Sequence, residues 1–188
     1  MKLTTGCLTA ALSLAAMAAT SAAHASGFKL TSPEIKSGAT IGAEQVFNSF
    51  GCTGNDISPE LNWSGAPAAT KSFAVTIYDP DAPTGSGFWH WVIANIPASA
   101  TSLPKNAGDP KADLAPKGSV QSRNDYGTSS YGGPCPPKGD KPHRYIFTIF
   151  AVDTDKLDVT SDSSGAVVGF NLHYHTLAKA TFTGRYGR

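Results

Sequence analysis

The chain has 188 residues, of which 40% are hydrophobic and 15% are charged, and its formal net charge is +1. This length suits a single domain with a sizeable core. The balanced charge argues against a disordered chain and against a nucleic-acid-binding protein. Nineteen glycines and thirteen prolines provide many turns, which favours a β-rich chain over a helical bundle.

The first 25 residues have the features of a secretory signal peptide. Lys2 gives a positive start, residues 8–20 are almost entirely small or apolar, and residues 23–25 (AHA) suit a signal peptidase. The apolar run is too short and too rich in alanine to favour a membrane anchor. We therefore predict cleavage of residues 1–25, one domain over residues 26–188, a periplasmic or secreted location and no stable membrane insertion.

Export changes the interpretation of the cysteines, because Cys7 is removed and Cys52 and Cys135 remain. Two thiols in one small domain usually pair in an oxidising compartment, so we predict a disulfide between them. Two separate buried thiols are the alternative. A metal site is disfavoured because neither cysteine has a CxxC partner.

Two segments in the first half of the domain have the composition of β-strands. Residues 73–78 and 89–96 are rich in β-branched and aromatic side chains and end at Asp79 and Pro97. Both faces of each segment are apolar, which indicates central strands that are covered on both sides. Residues 101–142 carry many Pro, Gly, Asp and Asn and are predicted to form mostly long loops.

The second half of the domain contains a third strand and the helical segment. Residues 144–152 have the same strand composition as the first two segments. Helical character appears over residues 163–179, with a break expected around Gly169. Residues 181–186 alternate like a final strand, so the predicted helix content is small and late.

Polar side chains lie at the ends of otherwise apolar strand faces. Side chains on a strand alternate between faces, so His143 and Tyr145 share one face and Asp79 ends another. If these ends converge with His90, one carboxylate, two imidazoles and a phenol line a small pocket. Imidazoles and phenols can donate hydrogen bonds to an anion.

The same alternation predicts the direction of His90. It places His90 on the face of Val92 and Ala94, opposite to Trp89 and Trp91. A structural explanation also exists for each polar residue, since a strand histidine is often only hydrogen-bonded in place and an Asp before Pro often only forms a turn.

Two motifs resemble the signatures of the phosphatidylethanolamine-binding protein family, which includes the Raf kinase inhibitor protein. Residues 79–83 (DPDAP) with 88–91 (FWHW) resemble the first signature, and residues 136–139 (PPKG) with 143–145 (HRY) resemble the second. The similarity extends over essentially the whole predicted mature chain. Residues 131–137 (YGGPCPP), together with the signal peptide, are most similar to the exported bacterial branch.

The resemblance implies a mostly β fold, with a large central antiparallel sheet, a second smaller sheet and a few peripheral helices. It also implies a pocket at one end of the central sheet for phosphate-like groups and phospholipid headgroups. The ligand-binding residues that it indicates are Asp79, His90, Pro136, His143 and Tyr145.

Four further residues of the motifs receive supporting roles. The resemblance implies that Pro83 and Trp89 shape the pocket. Asp81 and Arg144 match the motifs as well, but we interpret them as structural, because they can form an ion pair.

The sequence leaves three classes of function open. We expect a protein that binds a small anionic, phosphate-containing ligand and needs no cofactor. An inhibitor or interaction protein that acts on a protease or signalling partner through its surface is the alternative. An enzyme ranks last because no nucleophile or metal motif supports it, and no metal is expected, although Asp79, His90 and His143 stay open as ligands.

Overall fold

Residues 27–188, the part of the chain that the computed structural model describes, form two antiparallel sheets and one α-helix. The predicted signal peptide and its cleavage site lie outside these residues. In chain order, the elements are β1 (Lys29–Thr31), β2 (Leu61–Ser64), β3 (Ser72–Asp79), β4 (Phe88–Pro97), β5 (Ser102–Leu103), β6 (Val120–Ser122), β7 (His143–Val152), α1 (Gly165–His175) and β8 (Thr176–Tyr186).

The larger sheet has the strand order β6-β4-β3-β7-β8, and the smaller sheet has the order β1-β2-β5. Every pairing within the two sheets is antiparallel. The predicted fold class is therefore confirmed, with one helix among the described residues. That helix does not have the length and apolar character that crossing a bilayer requires.

Both faces of the larger sheet are covered, as the apolar composition of its strands predicts. On one face, side chains such as Phe73 and Trp91 pack against Leu61 of the smaller sheet in one buried cluster. On the other face, Val168 and Leu172 of α1 belong to a second buried cluster. Burying each large apolar side chain stabilises the fold by about 1.5–3 kcal/mol, so both layers contribute to holding the central strands.

The three predicted strands lie within β3, β4 and β7, so these predictions are confirmed. The predicted loop region 101–142 contains only the short strands β5 and β6, and the rest of it is irregular. These long connections run past one end of the larger sheet, where they meet the beginning of β7.

The predicted helix break at Gly169 is wrong. The helix α1 is continuous through this residue, since Ser164 caps its beginning and the buried side chains of Val168 and Leu172 hold it on both sides. A glycine inside a helix costs about 1 kcal/mol, which such packing offsets. The final strand also begins earlier than predicted, at Thr176, where the backbone is already extended and its N–H is bonded to Leu172.

The predicted disulfide is present between Cys52 and Cys135. Its Cα atoms lie 6.0 Å apart and the two residues are separated by 83 positions. The bond joins the segment before β2 to the loop before β7, and the carbonyl of Pro134 accepts a hydrogen bond from the Phe47 N–H beside it. Two distant loops are therefore fastened together at one end of the larger sheet.

We predict that the double substitution Cys52→Ser and Cys135→Ser lowers the free energy of unfolding by about 4 kcal/mol, because the unfolded chain regains the freedom that the large loop removes. Urea denaturation of the oxidised wild type and of the variant measures the difference. Reduced wild type is the control and should match the variant. A loss below about 1 kcal/mol would contradict the prediction.

Candidate functional site

A cavity of about 230 Å³ lies at one end of the larger sheet. The end of β3 and the beginnings of β4 and β7 meet there, because β3 runs antiparallel to both neighbours. All five predicted ligand-binding residues line the cavity, and Pro83 lines it too. The complete lining is Phe50, Asp79, Ala82, Pro83, Thr84, Phe88, His90, Tyr126, Cys135, Pro136, Pro137, His143 and Tyr145.

Asp79 and His143 form a buried pair in the floor of the cavity. The Nδ1 atom of His143 lies 2.7 Å from Oδ2 of Asp79, and both side chains are almost completely buried. The other oxygen of Asp79 accepts the N–H of Asp81 at 2.8 Å. Both oxygens of Asp79 therefore have a partner within the protein, and this carboxylate orients His143.

The second nitrogen of His143 lies near a carboxylate at the edge of the cavity. Its Nε2 atom is 3.4 Å from Oδ2 of Asp140, a residue that is half exposed. Because Nδ1 is bonded to Asp79, Nε2 is the atom that His143 can offer to a ligand. An anion that approaches this nitrogen competes with the carboxylate of Asp140.

The predicted direction of His90 is wrong, because a β-bulge interrupts the alternation of β4. Ile77 pairs with Trp91 and the next residue of β3, Tyr78, pairs with Trp89, so His90 is the extra residue of the bulge. A bulge turns the side chains on either side of it. His90 therefore shares a face with Trp91, and its ring lies 5.1 Å from that of Tyr145.

The bulge also corrects the role predicted for Trp89, which does not line the cavity. Its ring packs on the opposite face with the cluster that includes α1. Gly165 at the beginning of α1 leaves room for this ring, since a Cβ atom there would lie 2.5 Å from the indole. Trp89 thus stabilises the larger sheet by packing on the face opposite to the cavity.

Backbone carbonyls fix the orientation and the proton of His90. Its Nδ1 lies 2.8 Å from the carbonyl oxygen of Gly132 and 3.1 Å from that of Gly133. A carbonyl only accepts, so Nδ1 carries a proton and Nε2 is left for a ligand. Burial lowers the pKa of His90 below its usual value, which favours the neutral ring with Nε2 as an acceptor.

Tyr145 presents a buried hydroxyl with no partner. The side chain is fully buried in the cavity wall, and its oxygen makes no hydrogen bond within residues 27–188. Burial raises the pKa of Tyr145, so the phenol keeps its proton and can donate it. The cavity therefore contains one hydrogen-bond donor that the protein itself leaves unused.

Asp56 supports the loop that holds His90, and sequence reasoning missed it. Its Oδ1 accepts the N–H of Gly133 at 2.7 Å, and the carbonyl of the same glycine accepts the Tyr126 hydroxyl at 2.9 Å. Burial outweighs this hydrogen bond and raises the pKa of Asp56 to about 6. No local motif marks Asp56, since it lies 77 positions before its partner.

Asp81 and Arg144 form the ion pair that the sequence analysis assigned to a structural role. Two guanidinium nitrogens and the backbone N–H of Arg144 donate to the Asp81 carboxylate at 2.7–2.9 Å. The hydrogen bond from the Arg144 side chain lowers the pKa of Asp81 to about 2. The pair lies outside the cavity and ties the loop after β3 to β7.

Three aromatic side chains of the cavity were also absent from the predicted site. Phe88 belongs to the first motif and was therefore within reach of the sequence argument. Phe50 and Tyr126 lie in long loops that carry no periodic signal, and their rings face each other at 5.9 Å. These rings make much of the cavity wall apolar above its polar floor.

Comparison with known proteins agrees with this architecture. Residues 31–187 match the model of the phosphatidylethanolamine-binding protein family. The chain belongs to this family. Its motifs had indicated the resemblance, and the match spans nearly all of the described residues.

Two Escherichia coli proteins are similar to this chain over most of their length. UPF0098 protein YbcL is 53% identical over 167 residues, which are 89% of this chain and 91% of YbcL. UPF0098 protein YbhB is 49% identical over 158 residues, which are 84% of this chain and 99% of YbhB.

Solved structures of family members have the same fold. The crystal structure of E. coli YbcL, described as a new member of the mammalian family, has a TM-score of 0.84 and covers 86% of this chain and 98% of its own. A homologue from Chlamydia trachomatis, CT736, is 28% identical with a TM-score of 0.72 and covers the same shares.

The sequence left Asp79, His90 and His143 open as metal ligands. Within residues 27–188, no group of three or more His, Cys, Asp or Glu side chains is placed to hold a metal ion. The Asp79 carboxylate contacts Nδ1 of His143, and Nδ1 of His90 donates to backbone carbonyls, which leaves Nε2 as the free nitrogen of His90.

We predict that Asp56→Asn stabilises the protein more at about pH 7.5 than at about pH 4.5. Because the pKa of Asp56 is raised, its charge costs stability by an amount that grows between the unfolded value of about 4 and the folded value of about 6. The cost is complete above about pH 6 and absent below about pH 4, where both states are protonated. The amide oxygen can still accept the Gly133 N–H.

Urea denaturation at the two pH values tests this prediction. The control is Asp158→Asn, the same substitution at an exposed acid, and the effect of Asp56→Asn should exceed that of the control more at the higher pH. A stability difference for Asp56→Asn that is independent of pH would show that the prediction is wrong.

Proposed function

We propose that this protein is exported and binds small, phosphate-containing anions in the cavity at the end of the larger sheet. The observation that carries the proposal is the buried Tyr145 hydroxyl, which has no partner within the described residues. Leaving such a group unpaired costs about 1–3 kcal/mol. A ligand oxygen in the cavity would accept this hydrogen bond and remove that cost.

The charges around the cavity favour a singly charged, protonated phosphate. No lysine or arginine lines the cavity, and the Asp79 carboxylate is paired with His143. A neutral His90 offers Nε2 as an acceptor, which suits the hydroxyl of a monoanionic phosphate ester. Such esters have a second pKa of about 6, so binding should take up a proton near neutral pH and tighten as the pH falls.

Binding without turnover is the form of activity that we propose. Of the lining residues that carry a thiol or an aliphatic hydroxyl, Cys135 is held in the disulfide and Thr84 donates its hydroxyl to the carbonyl of Gly87. The export half of the proposal rests on the N-terminal sequence pattern, and the disulfide is compatible with an oxidising compartment.

We predict that Tyr145→Phe lowers the affinity for O-phosphorylethanolamine at least about tenfold without lowering the free energy of unfolding. A hydrogen bond to a charged group is worth about 1.5–3 kcal/mol, and the hydroxyl is unpaired when no ligand is bound. Isothermal titration calorimetry at about pH 6 and about pH 7.5 measures the affinity, and urea denaturation measures the stability.

Tyr131→Phe is the matched control, because the Tyr131 hydroxyl is also buried but donates to the carbonyl of Gln45 at 2.7 Å. This variant should lose about 1 kcal/mol of stability and keep its affinity. Equal loss of affinity in both variants would contradict the assigned pocket. No binding by wild type at millimolar ligand would overturn the proposal and direct attention to a protein partner.

A second prediction concerns Asp140, whose carboxylate lies beside Nε2 of His143. Asp140→Ala should raise the affinity for O-phosphorylethanolamine about two- to fivefold, because the ligand no longer competes with a neighbouring negative charge. Asp158→Ala, an exposed acid between two residues of the cluster on the opposite face, is the control. Unchanged or weaker binding by Asp140→Ala would contradict this role.

A further inference from the structure

Phe50 has an unusual position for a large apolar side chain. It is 72% exposed, the highest value among the large hydrophobic residues of the described chain, and its ring lines the mouth of the cavity. Single exposed hydrophobic residues are common on protein surfaces. Exposure alone therefore does not mark Phe50 as a binding residue, whereas a backbone that holds the ring in place does.

The backbone of Phe50 is strained and firmly held. Its φ angle is 52°, in the left-handed region that bulky residues avoid at a cost of about 1–3 kcal/mol. The disulfide anchors the chain two residues later, at Cys52. Arg188 donates to the carbonyl oxygens of Gly51 at 2.8 Å and of Phe50 at 3.4 Å.

Arg188 also connects this loop to the proline segment of the cavity wall. Its Nε donates to the carbonyl oxygen of Pro136 at 2.7 Å, and Pro136 lines the cavity. The exposed ring of Phe50 is thus carried by a loop that is fixed to the proline wall. Strain that the surrounding structure maintains is a feature of binding sites, where it prepares a group before the ligand arrives.

The ring of Phe50 continues an aromatic wall that descends to the polar floor. Phe47 and Phe50 each lie nearly parallel to Tyr126, with interplanar angles of 15° and 17°. Phe88 meets Tyr126 edge-on, with ring centroids 4.7 Å apart. Tyr126 in turn lies 5.5 Å from His90, so the wall joins the mouth of the cavity to the group that faces the anion.

We propose that Phe50 and Tyr126 form a subsite for a flat unsaturated ring, so that the preferred ligand is an aryl phosphate ester. This inference rests on the proposed phosphate-binding function and specifies its ligand class. The phosphate lies at Tyr145 and the two histidines, and the attached ring stacks along the aromatic wall. A cavity of about 230 Å³ is small for a binding pocket and suits a ligand with a single ring.

Three phosphate monoesters test the subsite: phenyl phosphate with a flat ring, cyclohexyl phosphate with a saturated ring, and ethyl phosphate with no ring. They are compared at about pH 4.5, below their second pKa of about 6, so that each is mainly a monoanion. Calorimetric titration of the wild type should give the highest affinity for phenyl phosphate. Phe50→Leu keeps an apolar side chain but removes the ring. It should lower the affinity for phenyl phosphate about five- to tenfold. Binding of the other two esters should change less than twofold.

Phe170→Leu is the matched control, because Phe170 is 65% exposed but lies on α1, which covers the opposite face of the larger sheet. It should leave all three affinities unchanged. Urea denaturation checks that Phe50→Leu is folded, and its retained affinity for ethyl phosphate shows that the polar floor is intact.

The possible failures are distinguishable. If no ester binds to the wild type, the proposed function itself is wrong. If ethyl phosphate binds and phenyl phosphate binds with no higher affinity, the ring subsite is wrong while phosphate binding stands. The same conclusion follows if Phe50→Leu lowers the affinity for all three esters equally. If Phe50→Leu lowers the affinity for O-phosphorylethanolamine more than for the other three esters, the aromatic wall binds an ammonium group by cation–π attraction. That result also overturns the ring subsite.

Discussion

The backbone N–H and C=O of Gly133 connect the candidate pocket to the surrounding loops by hydrogen bonds. Its N–H donates to Asp56, and its carbonyl accepts hydrogen bonds from His90 and Tyr126. A Cβ atom at this position would lie 2.1 Å from the carbonyl oxygen of Gln45, so only glycine lets the backbone approach so closely. One residue therefore contributes to the proton position of His90, the direction of the Tyr126 ring and the orientation of the Asp56 carboxylate.

Strand periodicity predicted the part of the site that regular strands build. Asp79, His143 and Tyr145 lie where alternation places them, because β3 and β7 pair without a shift in register at this end of the sheet. The same rule failed for His90, since the bulge in β4 inserts one residue and changes its face. Periodicity assumes a regular ladder, and nothing in the residues of β4 marks the interruption.

The remaining part of the site depends on contacts between distant loops, which local patterns do not encode. Phe50 and Tyr126 are brought together by the disulfide, by stacked rings and by the guanidinium of Arg188. The sequence predicted the disulfide from the oxidising compartment that export implies. It did not indicate which side chains the disulfide would bring together. The helix over Gly169 illustrates the same limit, because packing of Val168 and Leu172 overrides local propensity.

The candidate site would select among phosphate esters in a different way from a phosphate site that is lined by lysine or arginine. Its floor consists of a histidine paired with a carboxylate, a histidine that burial keeps neutral and a phenol that keeps its proton. Hydrogen bonds from such groups depend on geometry and on the ligand's protonation state more than on its net charge, and buried contacts are screened little by salt. With little Coulombic attraction available, the apolar wall becomes the part of the pocket able to distinguish one phosphate ester from another.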